Sequence, residues 1–225
     1  MTDRRILVGL ACPRGVEPEV WDWLTRLLPA RLGHTLQIAR VDGEAEIAWA
    51  NNQLVQKLLR GDWTHLWFVA ADMRPYPQTH TILEATADVA IGVSFVVEPD
   101  PLVPQFTHLW PNVSRSDDGL RFPPLKWDEL ADGPLDVDGG GMHCTLVRRE
   151  VFESPRVRTD GGAWFRTRRD AFDRRMLTDD ADFCWRAKQA GFSVRAYPGA
   201  LSGHVKTCDV GGVWTAARVR ALSEV

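Results

Sequence analysis

At 225 residues, with 44% hydrophobic and 25% charged side chains, the chain has the make-up of a soluble globular protein that buries a substantial core. A net charge of −3 gives no strong overall attraction to nucleic acid or to an anionic membrane. No apolar run reaches membrane-spanning length, and the start of the chain lacks a signal peptide's apolar region. Cys12, Cys144, Cys184 and Cys208 form no C-x-x-C pair, which argues against a zinc ribbon or a disulfide framework and points to reduced thiols in a cytoplasmic protein. One domain over 1–225 is expected, because nothing resembling a linker separates two halves.

In chain order, Arg5 to Leu10 reads as a first strand, broken by Ala11 to Gly15 before Pro18 opens a helix running to about Leu28. Val20, Leu24, Leu27 and Leu28 give that helix one apolar face. A second strand, Leu36 to Val41, ends in the Asp42-Gly43 turn. A second helix follows from Glu46 to Arg60, with Ile47, Leu54, Val55, Leu58 and Leu59 predicted inward. The third strand is unbroken apolar sequence from Leu66 to Ala71, the pattern of a central strand buried on both faces of a helix-covered sheet. It ends in a carboxylate, Asp72. Ligands of open α/β sheets bind beyond the carboxyl ends of the strands, so this is a place for a metal ion and a phosphate-bearing ligand. The β-α-β-α-β order predicts parallel strands with right-handed crossovers.

A short helix, Thr79 to Ala85, and a buried strand, Ala87 to Phe95, come next. From Glu98 to Pro134 prolines are frequent and Phe106, Trp110, Phe122 and Trp127 are interspersed, the character of a binding loop or lid. The glycine triplet Gly139 to Gly141 then feeds a strand ending at Val147 and a short helix to Phe152. Nine arginines lie between Arg148 and Arg175, a cluster that reads either as a solvated face or as a phosphate-contacting surface. Thr178 is a candidate N-cap for a helix whose first turn carries Asp179 and Asp180 and which Gly191 closes. Phe183, Cys184, Ala187 and Ala190 form its apolar stripe. A last strand, Phe192 to Tyr197, precedes the late histidine His204.

Together these segments resemble a glycosyltransferase of the GT-A fold, family 2 type, from Ile6 to about Lys206. Ile6 to Pro13 resembles the first strand and nucleotide loop, and Asn51 to Val55 stands at the family's Ala-Arg-Asn segment. Val69 to Met73 stands at the D-x-D motif, with Ala70 in place of the first acid and Asp72 as the second. Gly139 to Phe152 resembles the acceptor-side segment, Asp179-Asp180 followed by Asp182 to Arg186 resembles the Glu-Asp motif and its helix, and Gly203-His204 matches the late histidine.

The resemblance implies a single-domain, Rossmann-like α/β fold: a mostly parallel sheet flanked by helices, with a nucleotide-binding half (1–95) and an irregular acceptor-side half (96–225). It implies a nucleotide-sugar donor, a UDP-sugar, contacted by Pro13, Arg14, Asn52, Ala71, Asp72, Gly140 and Gly141. Asp72 and His204 would hold Mn or Mg, since a carboxylate and an imidazole suit a cation that neutralises a diphosphate. Asp180, then Asp179, would be the base for the acceptor hydroxyl. The acceptor is a saccharide, a protein, or a nucleic acid with hydroxymethylated bases as in some phages; the arginine cluster and aromatic loop are what the last would use. Two other readings stand beside this one: a degenerate GT-A domain that binds nucleotide or glycan without turnover, motivated by Ala70, and a nucleotidyltransferase, which the loop Ala11 to Val16 disfavours because it lacks a basic glycine-rich signature.

Overall fold

The structure, a computed structural model, describes residues 4–12, 15–27, 34–42, 46–99, 107–130, 133–169 and 176–204. Pro13, Arg14, Leu28, Gly43, Phe106, Arg174, Arg175 and Cys208 lie outside them, as do the side chains of Arg169 and His204.

The first half follows the predicted alternation. Strand β1 (Arg5–Cys12) pairs in parallel with β2 (Thr35–Asp42) on one side and with β3 (His65–Ala70) on the other. Helix α2 (Ile47–Arg60) makes the crossover between β2 and β3. Strand β3 is buried along its length because its alternate residues serve two cores: Leu66 and Phe68 enter one apolar cluster, Trp67 and Val69 the other. The first cluster lies under α2, whose Leu54, Val55 and Leu58 are buried. The second is covered by helix α1 (Pro18–Asp22) and the π-helical turn Trp23–Leu27 that continues it. Trp23 meets Trp67 there edge-to-face, ring centres 5.5 Å apart.

Two expectations in this half change. Ile47 is 44% exposed, and the inward positions at that end of the helix are Ala48, Ala50 and Asn51. The helix expected from Pro18 becomes a short α-helix and a wider π turn, which brings Trp23 and Leu24 onto the sheet.

After β3 the chain turns at Ala71-Asp72 into β4 (Met73–Pro75) and a 3₁₀ helix, Thr79–Glu84. The single strand expected over Ala87 to Phe95 is split. Strand β5 (Val89–Gly92) joins the main sheet, whereas β6 (Phe95–Pro99) pairs antiparallel with β7 (Thr107–Pro111). The break falls at Val93-Ser94, where the Ser94 N–H bonds the Asn112 side chain at 2.7 Å instead of a sheet neighbour. The remaining elements are β8 (Val113–Ser114), β9 (Leu135–Asp136), β10 (Gly139–Gly140), β11 (Cys144–Arg148), α3 (Arg149–Glu153), β12 (Arg168–Arg169), β13 (Met176–Leu177), α4 (Asp179–Gln189), β14 (Val194–Tyr197) and β15 (Ser202–His204).

The main sheet has the order β2-β1-β3-β11-β5-β14-β9. Strands β1, β2, β3, β5 and β14 share one direction, while β11 and the short edge strand β9 run against it. This is the mostly parallel α/β sheet, covered by helices on both faces, that the sequence leads one to expect. No helix among the described residues is long and apolar enough to cross a membrane.

Candidate active site

The five parallel strands end at Cys12, Asp42, Ala70, Gly92 and Tyr197, which defines one edge of the sheet. Other elements converge on that edge for topological reasons. Because β11 is antiparallel, its first residue Cys144 pairs with Val69, and the turn before it reaches the end of β3, where the Ala70 N–H donates to the His143 carbonyl at 2.9 Å. Helix α2 starts soon after β2 ends, so Asn51 and Asn52 lie near this edge. Helix α4 leads into β14 from the far side, so its first turn, with Asp179 and Asp180, lies here as well.

Asp72 sits half-buried in the turn immediately beyond β3. The next residue, Met73, pairs with His204 in the antiparallel β4–β15 ladder. The backbone therefore brings the late histidine to the neighbour of Asp72, although 132 residues separate the two in sequence, taking 72 from 204. Among the described side chains no group of three or more His, Cys, Asp and Glu converges as a metal cage. The Asp72 carboxylate in this turn is the hard-oxygen ligand type that divalent cations take.

The acid pair opens α4. Asp180 accepts from the Ala181 N–H at 2.8 Å and from the Thr178 hydroxyl, so Thr178 bonds a side chain here and makes no backbone cap. Asp179 accepts from Asn51 Nδ2 at 3.3 Å. Burial raises the pKa of both carboxyls; Asp179, with the Asp180 charge beside it as the second cause, is pushed up to about 6. The helix ends as predicted, with Gly191 at φ 98°.

Asn52, expected at the donor, is engaged elsewhere. Its Nδ2 donates to the carbonyls of Ala48 and Phe165 at 2.8 and 2.9 Å, and its Oδ1 accepts from the N–H groups of Trp164 and Phe165 at 2.9 and 3.1 Å. Those four bonds fill the amide's capacity, and they fix the 164–165 segment to α2. Asn52→Ala is expected to destabilise the fold by about 2–3 kcal/mol, since buried peptide groups lose their partners; a urea titration checks this, and no change in midpoint would contradict it.

Ala71 packs in the second core cluster and its carbonyl accepts from the Glu17 N–H at 2.8 Å. Gly140 is pressed between elements: a Cβ there would lie 2.8 Å from the Ile91 side chain, and its carbonyl lies 3.8 Å from Cys184 Sγ on α4. Gly141 donates to the Asn112 carbonyl at 3.1 Å and accepts from the Thr145 hydroxyl at 2.8 Å. These positions shape the floor of the edge through packing.

The described arginines of the cluster mostly have partners within the chain. Arg149 reaches the carbonyls of Leu58, Leu59, Gly61 and Trp63 at the end of α2, and Arg156 reaches those of Gln189 and Ala190 at the end of α4, where helix carbonyls lack partners. Arg148 pairs with Asp88, and Arg158 lies over the Trp164 ring at 4.9 Å. Arg166, Arg168 and Arg186 all meet Asp182, at 3.3, 3.4 and 2.9 Å. The described arginines thus have structural partners, while Arg156, Arg158 and Arg168 remain exposed.

Two residues outside the expected site tie α4 to other segments: Asn51, which bonds Asp179, and Asp182, which pairs with Arg166 and Arg168. Each carried a faint signal, Asn51 as a polar residue on the apolar face of α2, Asp182 as an acid four residues before Arg186.

No protein-family model and no curated protein matches the sequence. Among solved structures, the chain is similar to A197 from STIV, at 16% identity and a TM-score of 0.57 over 90% of this chain and 86% of that one. It is also similar to GalNAc-T7, determined with UDP, GalNAc and Mn2+, at 11% identity and a TM-score of 0.50 over 97% of this chain; the match spans 48% of that protein's length. At these identities the likeness is one of fold, and the chain has the α/β GT-A fold.

Proposed function

We propose that the chain is a metal-dependent glycosyltransferase of the family 2 type, moving a sugar from a nucleotide-sugar donor, a UDP-sugar, to an acceptor hydroxyl. The observation that carries the reading is the convergence on one sheet edge of Asp72, the His204 backbone position and the Asp179-Asp180 pair. Asp72 and His204 would hold Mn or Mg, which when bound neutralises the charge of the departing diphosphate. The acid pair supplies a base beside the acceptor, and a direct displacement with such a base inverts the anomeric carbon. GalNAc-T7, a GT-A protein determined with UDP, a sugar and Mn2+, supports the choice of donor and cation. The acceptor hydroxyl belongs to a saccharide, a protein or a nucleic acid with hydroxymethylated bases.

The test is product analysis with UDP-sugars, Mn2+ and an acceptor panel: UDP release that stops on chelation is expected. Pyrophosphate release from a nucleoside triphosphate and a sugar phosphate would instead make the chain a nucleotidyltransferase. A second reading, nucleotide binding without transfer, is favoured by Ala70, which leaves the D-x-D position with one acid. UDP binding with no turnover of any donor would select it.

A further inference from the structure

A row of guanidinium groups is laid along one side of α4. Arg166 and Arg168 meet Asp182 in its first turn, and Arg186 bonds Asp182 and the Trp164 carbonyl. Arg158 lies over the Trp164 ring, and Arg156 reaches the carbonyls of Gln189 and Ala190 at the far end. From Asp182 to Ala190 is about 12 Å of helix, the rise of three to four nucleotides in one strand. Over residues 156–168 and Arg186, five arginines stand against two acids, Asp160 and Asp182, so the row is cationic in a chain whose net charge is −3. Three of the five share Asp182, and Arg156 and Arg158 have no acid partner among the described residues. Arg156, Arg158 and Arg168 are exposed.

The row leads to the sheet edge. Asp179, Asp182, Arg186 and Ala190 recur at spacings of three and four, so they share one face of α4, whose first turn lies at that edge. Near this end two large apolar side chains stand in water: Ile47 is 44% and Trp49 48% exposed. Trp49 is one turn before Asn52, whose side chain holds Trp164 and Phe165, and Glu46 at the start of the same helix bonds Thr167 Oγ1 at 2.9 Å. An exposed indole thus lies on the helix turn that carries the chain just before and after Arg166.

We infer that this surface binds a strand of nucleic acid, with its phosphates along the arginine row and a base on the Trp49 ring. A guanidinium keeps several N–H donors after one contact is made, so a side chain that already meets a carboxylate or a carbonyl still donates to phosphate. A cationic track beside an aromatic ring is how single strands are held with little regard to sequence. The inference goes beyond the transferase reading and does not rest on it; where both hold, the bound strand is the acceptor.

The test is fluorescence anisotropy with a labelled single-stranded DNA of about 16 nucleotides, read between about 50 and about 200 mM salt. Neither nucleotide-sugar nor metal is added, so the result is the same whether or not the chain transfers sugar. Binding that weakens as salt rises is expected. Arg158→Gln combined with Arg168→Gln should lower the slope of log affinity against log salt by about 1.4, at about 0.7 per phosphate contact. Trp49→Ala should weaken binding about tenfold. All three side chains are exposed, and melting curves check that the variants are folded. Arg26→Gln, in the turn that continues α1, should change neither affinity nor slope. No binding at about 50 mM salt, or wild-type affinity and slope in the double arginine variant and in Trp49→Ala, overturns the inference. So does a heparin fragment that binds as tightly as the DNA, which would make the row a surface for acidic polymers in general.

Discussion

Replacing Asp182 by alanine is expected to lower the melting temperature by about 10 °C, the largest stability loss of any single change considered. Asp182 is 1% exposed and accepts from three guanidinium groups: Arg186 on its own helix, Arg166 just before β12, and Arg168 in β12. The arginines differ in what they lose. The side chains of Arg166 and Arg168 are 37% and 44% exposed and can turn to water, so each contributes the modest energy of a surface pair. That of Arg186 is 13% exposed and also donates to the Trp164 carbonyl at 2.5 Å, so it stays in place and keeps its charge without a counter-ion. Removing one partner of such a buried pair costs roughly 3–5 kcal/mol, and for a chain of this size each kcal/mol is about 2–4 °C. Asp182→Asn, which keeps the shape and part of the hydrogen bonding, should lose less. A fall of under about 2 °C in the alanine variant would mean that the arginines rehydrate and that the cluster holds nothing together.

The second large effect is on activity. Asp72→Ala is expected to reduce UDP release by about 100-fold or more, because the carboxylate is the charged group at the end of the central strand that would hold the cation, and electrophilic assistance to a leaving diphosphate is worth several kcal/mol. Stability should change by only about 1 kcal/mol, since Asp72 lies half-buried in a two-residue turn outside both core clusters. Asp72→Asn separates charge from shape and should behave like the alanine variant. Full turnover in either would remove Asp72 from the site.

What could be read from the chain beforehand followed from local pattern. The apolar run Leu66 to Ala71 announces a strand buried on both faces, because a central parallel strand has no face to leave polar. The same topology puts Asp72 at the ligand edge. Gly191 and the acids of α4 announce their helix by the chemistry of helix ends. Long-range pairing was not legible. Nothing in Cys144 to Arg148 says that this strand runs against its neighbours, and nothing in Ala87 to Phe95 says that it breaks at Ser94, since the break is fixed by Asn112 on another element. Asn51 and Asn52 are chemically identical and adjacent, so only their 100° separation around α2 sends one to Asp179 and the other to Trp164 and Phe165. The partners of the arginines were not legible for a related reason: a guanidinium that caps a helix end or pairs with a buried acid has the same composition as one that waits for phosphate.

This sheet edge is expected to bind a nucleoside diphosphate together with a cation. The measurement is the melting temperature of the wild-type chain with UDP, with Mn2+, and with both. A ligand at about 100 times its dissociation constant adds about 2.7 kcal/mol to the folded state, or several degrees here. A rise with UDP and Mn2+ together that exceeds the sum of the separate effects and is lost in Asp72→Ala is expected. The same rise in Asp72→Ala, or none in the wild type, would contradict that expectation.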